Sequence, residues 1–159
     1  MTWRGRARAV AWLAAFLGLA AAQGTAEEPR SLPALRDEAT SEYRVVVHPD
    51  NPAREINRAF VRGAFLKKTV TWGDGETIRP VDLGKMFAAR QRFAREVLNK
   101  TPAQLRAYWS QQIFSGKGVP PPEVDSAAAV IAYVRRHRGA IGYLPATVDP
   151  AGTVVLVVR

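Results

Sequence analysis

Cysteine is absent from all 159 residues. That absence excludes disulfide staples and a lipid-modified N-terminal cysteine, so stability has to come from packing. Histidine occurs only twice, as His48 and His137. With no H-E-x-x-H motif and no carboxylates at ligand spacing, no metal and no other cofactor is expected. No serine stands in a G-x-S-x-G context, and no acid, base and nucleophile converge in the sequence, which points away from an enzyme. Internal repeats and coiled-coil heptads are missing too. No apolar run reaches the roughly 20 residues that a membrane-spanning helix needs.

The longest apolar run is instead fourteen residues, Ala9 to Ala22, preceded by Arg4, Arg6 and Arg8 and ending in Ala20-Ala21-Ala22. A basic start, a short apolar centre and a small-residue end are the three parts of a secretory signal peptide. Cleavage is expected after Ala22, with Gly24 and Ala26 as other positions, and the product is expected in the periplasm. Losing the three arginines lowers the formal charge from +9 to +6, so the mature chain stays basic. About 137 residues remain, enough for one domain with a hydrophobic core. Residues 23–41 mix Gly, Pro, Ser, Thr and charges without apolar periodicity and read as a flexible leader. Residues 42–159 then form a single domain.

Tyr43 to Val47 reads as a strand buried on both faces. Asn51-Pro52 is expected to cap and begin a helix carrying Ile56, Phe60 and Ala64 on one face. Gly73-Asp74-Gly75 is a turn before a short strand, Ile78 to Val81, in which Pro80 suggests a sheet edge. A second helix covers Met86 to Leu98, with Phe93 and Val97 inward and Arg90, Arg92 and Arg95 largely outward. Thr101-Pro102-Ala103-Gln104 is a capping box that opens a third helix with an apolar stripe of Leu105, Trp109 and Ile113. Asp125 or Ser126 caps a fourth, whose basic end at Arg135 to Arg138 is expected to stop at Gly139 in a left-handed C′ position. Strands over Ala140 to Leu144 and Thr153 to Val158 flank a turn at Asp149 to Gly152. The order β-α-β-α-α-α-β-β suggests a three-layer α/β domain with a mostly parallel sheet.

Several short blocks recur in a known order: Asn51-Pro52 after an apolar strand, Ala64 to Lys67, Trp72 to Gly75, Ile78 to Val81, Phe93 with Val97-Leu98, Tyr108-Trp109 with Phe114 to Gly116, and Gly139-Ala140-Ile141-Gly142-Tyr143. In that order and spacing, residues 43–145 resemble the phosphate ABC transporter substrate-binding proteins. The resemblance implies a type 2 periplasmic-binding-protein fold, in which two α/β lobes close over an oxyanion. Only one lobe fits in this chain. The family's Arg-x-Asp-x-Ser-Gly-Thr pattern precedes the helix whose aromatic matches Phe93. Counting back from Phe93 places Leu83 and Lys85 where Arg and Asp should stand, and Phe87, Ala88 and Ala89 where Ser-Gly-Thr should stand. None of the five is retained.

Two groups of residues are left as candidate ligand contacts. Lys85 and Arg90 flank the start of the second helix, where a cation beside free backbone N–H groups attracts an anion; the ordinary alternative is a solvated basic face. Ser115, Gly116 and Lys117 form a loop that could cradle an oxyanion or simply end the third helix. Trp72, Tyr108, Trp109 and Tyr143 are expected to serve packing. Two readings stay open: a single-lobe receptor or sensor for a small oxyanion such as phosphate, working with an ABC permease, and a ligand-free adaptor for another envelope protein. A homodimer would restore a two-sided cleft, and export argues against a nucleic-acid partner. Intact-mass analysis of the protein from a periplasmic extract is expected to show a chain starting at Gln23; a chain retaining Met1 to Ala22 would overturn the export reading.

Overall fold

The computed structural model describes residues 42–159; the expected signal peptide and leader lie outside the described residues. The elements are β1 (Tyr43–Val47), β2 (Glu55–Ile56), α1 (Arg58–Phe65), β3 (Arg79–Pro80), β4 (Asp82–Leu83), α2 (Ala88–Glu96), α3 (Pro102–Phe114), β5 (Glu123–Val124), α4 (Ala127–Arg136), β6 (Ala140–Pro145) and β7 (Val154–Val158). They build a five-stranded sheet in the order β2-β7-β1-β6-β3 and a two-stranded sheet of β4 and β5.

The main sheet is mixed, which corrects the mostly parallel expectation. β1 lies antiparallel to both β6 and β7, while the parallel pairs, β2 with β7 and β3 with β6, are two residues long at the edges. A buried apolar run has the same composition in either strand orientation, so nothing local announced that β1 inserts between the two C-terminal strands. The two-residue strands β2, β4 and β5 interrupt the expected order because such short pairings carry no periodicity. Pro80 does lie at the sheet edge, where its missing N–H costs no ladder bond.

Alternation along the strands separates three layers. Val45 is paired with Tyr143, and the Tyr143 ring meets Phe65 of α1 and Phe93 of α2 on one side of the sheet. On the opposite side Gly142 faces Val130 and Val134 of α4, so closely that a Cβ there would come within 2.7 Å of Val130 Cγ1. Small size at Gly142 therefore sets how near α4 can approach. The core residues Val45, Val46, Val47, Ile141, Tyr143 and Leu144 are fully buried.

The helix ends follow their side chains with two exceptions. Thr101 and Gln104 make the reciprocal capping box, and Ser126 accepts from the Ala129 N–H. α1, however, begins at Arg58 under Asn57, whose Oδ1 accepts the Ala59 N–H at 2.7 Å. Asn51 caps only a local turn, accepting from the Ala53 N–H. The helix is delayed because Val157 and Arg159 donate to the carbonyls of Arg54 and Ile56, which draws Glu55–Ile56 into the sheet. Gly139 is the second exception. It is not left-handed; a Cβ there would lie 1.8 Å from the Thr77 carbonyl oxygen. Its own carbonyl accepts both the Arg79 N–H and the buried Trp72 indole N–H. Gly139→Ala is expected to destabilise the domain by about 2–3 kcal/mol, as overpacking against rigid backbone does. Gly73→Ala, with nothing within 4 Å of the new Cβ, is expected to be near neutral in the same urea titration.

Candidate functional site

β4 and β5 stand side by side, with Asp82 in register with Glu123. α2 starts a few residues after β4, and α3 runs past it, so the three elements leave an open cleft of about 690 Å³ between them. α3 supplies one wall through Leu105, Arg106, Trp109, Ser110 and Ile113, residues spaced three and four apart on one helix face. Pro120 and Pro121 supply another. The cleft is wide for a lone inorganic anion, and its walls are mainly apolar.

A polar chain, buried at Tyr143 and reaching solvent at Glu123, forms the floor. The Tyr143 hydroxyl donates to Asp82 Oδ1, and Arg90 Nη2 donates to Asp82 Oδ2 at 2.9 Å. Arg90 Nη1 lies 2.9 Å from Glu123 Oε2 but has no aligned hydrogen-bond acceptor, so that contact is one of charge. Burial pushes the Asp82 carboxyl above its usual range, with Arg90 and Tyr143 opposing. Burial, and then the neighbouring Asp82, raises the Tyr143 phenol well above its ordinary value, so it stays a donor. On the other side of α2, the Tyr43 phenol is pushed up to about 12 by burial and then by its hydrogen bond to Glu96.

The five residues expected at the site are parted. Lys85 and Arg90 both line the cleft. Arg90, however, is turned inward, with a side chain 17% exposed and held between two carboxylates, which corrects the outward placement. Its charge is already compensated. Lys85 is exposed and has no carboxylate partner among the described residues. Ser115, Gly116 and Lys117 lie outside the cleft lining. Their polar groups close α3: the Ser115 and Gly116 N–H groups donate to the Gln111 and Ile113 carbonyls, the Lys117 N–H to that of Gln112, and Ser115 Oγ to that of Gln111. The loop's backbone donors and the Ser115 hydroxyl are thus spent on the last turn of α3, as in the helix-ending arrangement.

Arg106 was missed. It lines the same cleft as Lys85, is exposed, and is unpaired with any carboxylate among the described residues. Its place one position after Leu105 and three before Trp109 was the available signal. Asp82 and Glu123 were also missed, since two-residue strands give no pattern from which to infer their register. The aromatics behave as expected: Trp72, Trp109 and Tyr143 are buried, and half-buried Tyr108 donates to the Leu66 carbonyl. Phe87, Ala88 and Ala89 occupy the uncapped start of α2, with no side-chain hydroxyl to offer.

Comparison with solved structures decides the fold. Over 81% of this chain and 53% of its own length, a phosphate-bound ABC transporter substrate-binding protein from Clostridium perfringens matches with a TM-score of 0.56 at 18% identity. PstS from Borrelia burgdorferi matches over 82% of this chain and 55% of its own, with a TM-score of 0.56 at 14% identity. An ABC-type phosphate transport receptor from Vibrio cholerae gives 0.51 at 16% identity, over 73% and 45%. The chain shares the fold of these substrate-binding proteins. It spans about half the length of those receptors, in accord with a single lobe. No protein-family model and no curated protein matches the sequence. Among the described residues, no helix is long and apolar enough to cross a membrane.

Arg90 is expected to hold the receptor-like lobe together rather than to bind. Arg90→Met leaves Asp82 uncompensated and should cost about 2 kcal/mol, less than for a fully buried pair because both groups retain some exposure. Asp82's raised pKa makes its contribution largest below the unfolded value of 3.8 and progressively smaller as pH rises through the folded pKa. The stability of wild type relative to Asp82→Asn should therefore decline from pH 4 upwards in urea titrations; a pH-independent difference would count against this assignment.

Proposed function

We propose that the protein is an exported, single-lobe receptor that binds a small oxyanion, phosphate among them, in the cleft between α2 and α3. One observation carries the reading: Lys85, on the β4–α2 connection, and Arg106, on α3, both line the cleft and have no carboxylate partner among the described residues, while Arg90 is neutralised. The fold supports it, since solved relatives of the same architecture include a phosphate-bound one. The export signal read at Ala9 to Ala22 would place the lobe in the periplasm beside an ABC permease. Binding and release are the chemistry that these groups support, because two cations attract an anion without supplying a nucleophile or a base.

The adaptor reading rests on a different observation, the loss of the receptor pattern at Leu83, Lys85 and Phe87 to Ala89. Thermal melts at fixed ionic strength separate the two. A receptor should be stabilised by millimolar phosphate, by about 2.7 kcal/mol at 100 times Kd, and the Lys85→Ala, Arg106→Ala double variant should lose most of that gain. Absence of any shift with phosphate or sulfate would overturn oxyanion binding and favour the adaptor.

A further inference from the structure

We infer that the cleft selects an oxyanion carrying an apolar body, a phosphomonoester of an aryl or alkyl alcohol, over inorganic phosphate. This rests on the reading of the cleft as an anion site and names its ligand class. Inorganic phosphate presents oxygens on every side, and each needs a donor or water. The cleft offers unpaired cations at Lys85 and Arg106 and neutral polar groups at Gln91 and Ser110, while its two carboxylates, Asp82 and Glu123, are turned to Arg90; most of the remaining wall is apolar, the α3 stripe of Leu105, Trp109 and Ile113 with Pro120 and Pro121. A volume of about 690 Å³ lies in the range of sites for small organic molecules, far larger than a tetrahedral oxyanion fills.

The apolar wall is not merely the rim of the core. α3 is the longest helix described, yet only Leu105 and Trp109 of its thirteen residues are buried. Ile113 continues their stripe one turn further and lines the cleft while 53% exposed. From Pro102 to Ile113 the wall runs about 16 Å, at 1.5 Å per residue. Arg106 shares the cleft-lining face of α3 with the apolar stripe, and Lys85 lines the same cleft from the β4–α2 connection. An oxyanion head at Lys85 and Arg106 therefore leaves its ester substituent along Trp109 and Ile113. Charge complementarity fixes the head, and apolar area fixes the body.

Isothermal titration of the full folded chain at fixed ionic strength, with inorganic phosphate, phenyl phosphate and phenol as probes, tests this. The expected result is a Kd for phenyl phosphate at least tenfold below that for inorganic phosphate, about 1.4 kcal/mol, with no measurable binding of phenol. Ile113→Asn, at an exposed position that should not disturb folding, is expected to narrow the ratio. Val155→Asn, an exposed valine outside the cleft lining, should leave it. Equal affinities for phosphate and phenyl phosphate would overturn the preference and leave the oxyanion receptor standing. Binding of neither would overturn both, and phenol binding as tightly as phenyl phosphate would show an apolar site without anion selection.

Discussion

Tyr143 joins the sheet to the cleft. Its ring, fully buried in the centre of β6, stacks on Phe93 with centroids 4.1 Å apart and planes within 12°. Its hydroxyl reaches Asp82, which in turn holds Arg90 against Glu123. Removing any member leaves a polar group in a region that water reaches poorly, and such groups are costly when unpaired. The chain ties four elements, β6, β4, α2 and β5, into one unit. With no disulfide to constrain the chain, this network and the aromatic cluster of Tyr43, Phe65, Phe93 and Tyr143 carry the burden of uniqueness.

The same network decides which cations of the cleft are left without a carboxylate partner. Arg90 is closest to the protein interior and would have been the strongest anion contact had it been free. Two carboxylates remove that option. What remains is a peripheral pair, Lys85 on the β4–α2 connection and Arg106 on α3, both exposed. The inward-turned cation is thus compensated by carboxylates and the exterior is left basic, a division that suits a lobe carrying excess positive charge without repelling itself internally.

Much of this architecture was legible because its causes are local. The capping box at Thr101 and Gln104, the edge position of Pro80, and the turn at Asp149 to Gly152 need only neighbouring residues. The Gly139-to-Tyr143 block could be recognised, though its physics is tertiary: Gly139 clears the Thr77 carbonyl, Gly142 admits α4, and Tyr143 anchors the floor. What could not be read was everything set by pairing at a distance. Strand orientation depends on β1 entering between β6 and β7. The start of α1 depends on Glu55–Ile56 joining β7, and the inward turn of Arg90 depends on Asp82 and Glu123 lying in register. In each instance a long-range partner overrode a sound local preference, Asn51's capping ability among them.

An open half-cleft places a limit on what charge can accomplish. Exposed ion pairs contribute about 0.2–1 kcal/mol, and at physiological ionic strength their attraction fades within about 8 Å. Two such contacts with a strongly hydrated anion cannot hold it tightly, because its water is replaced only on one side. In a receptor of twice the length a second lobe can exclude the remaining water; here the wall of α3 and the proline loop is the part of the site that excludes it. Every square ångström of apolar ligand surface laid on that wall adds about 25 cal/mol that salt does not screen. On the proposed reading, the apolar stripe continuing to Ile113 beyond the core is therefore the feature by which a single lobe would discriminate among anions, through their substituents.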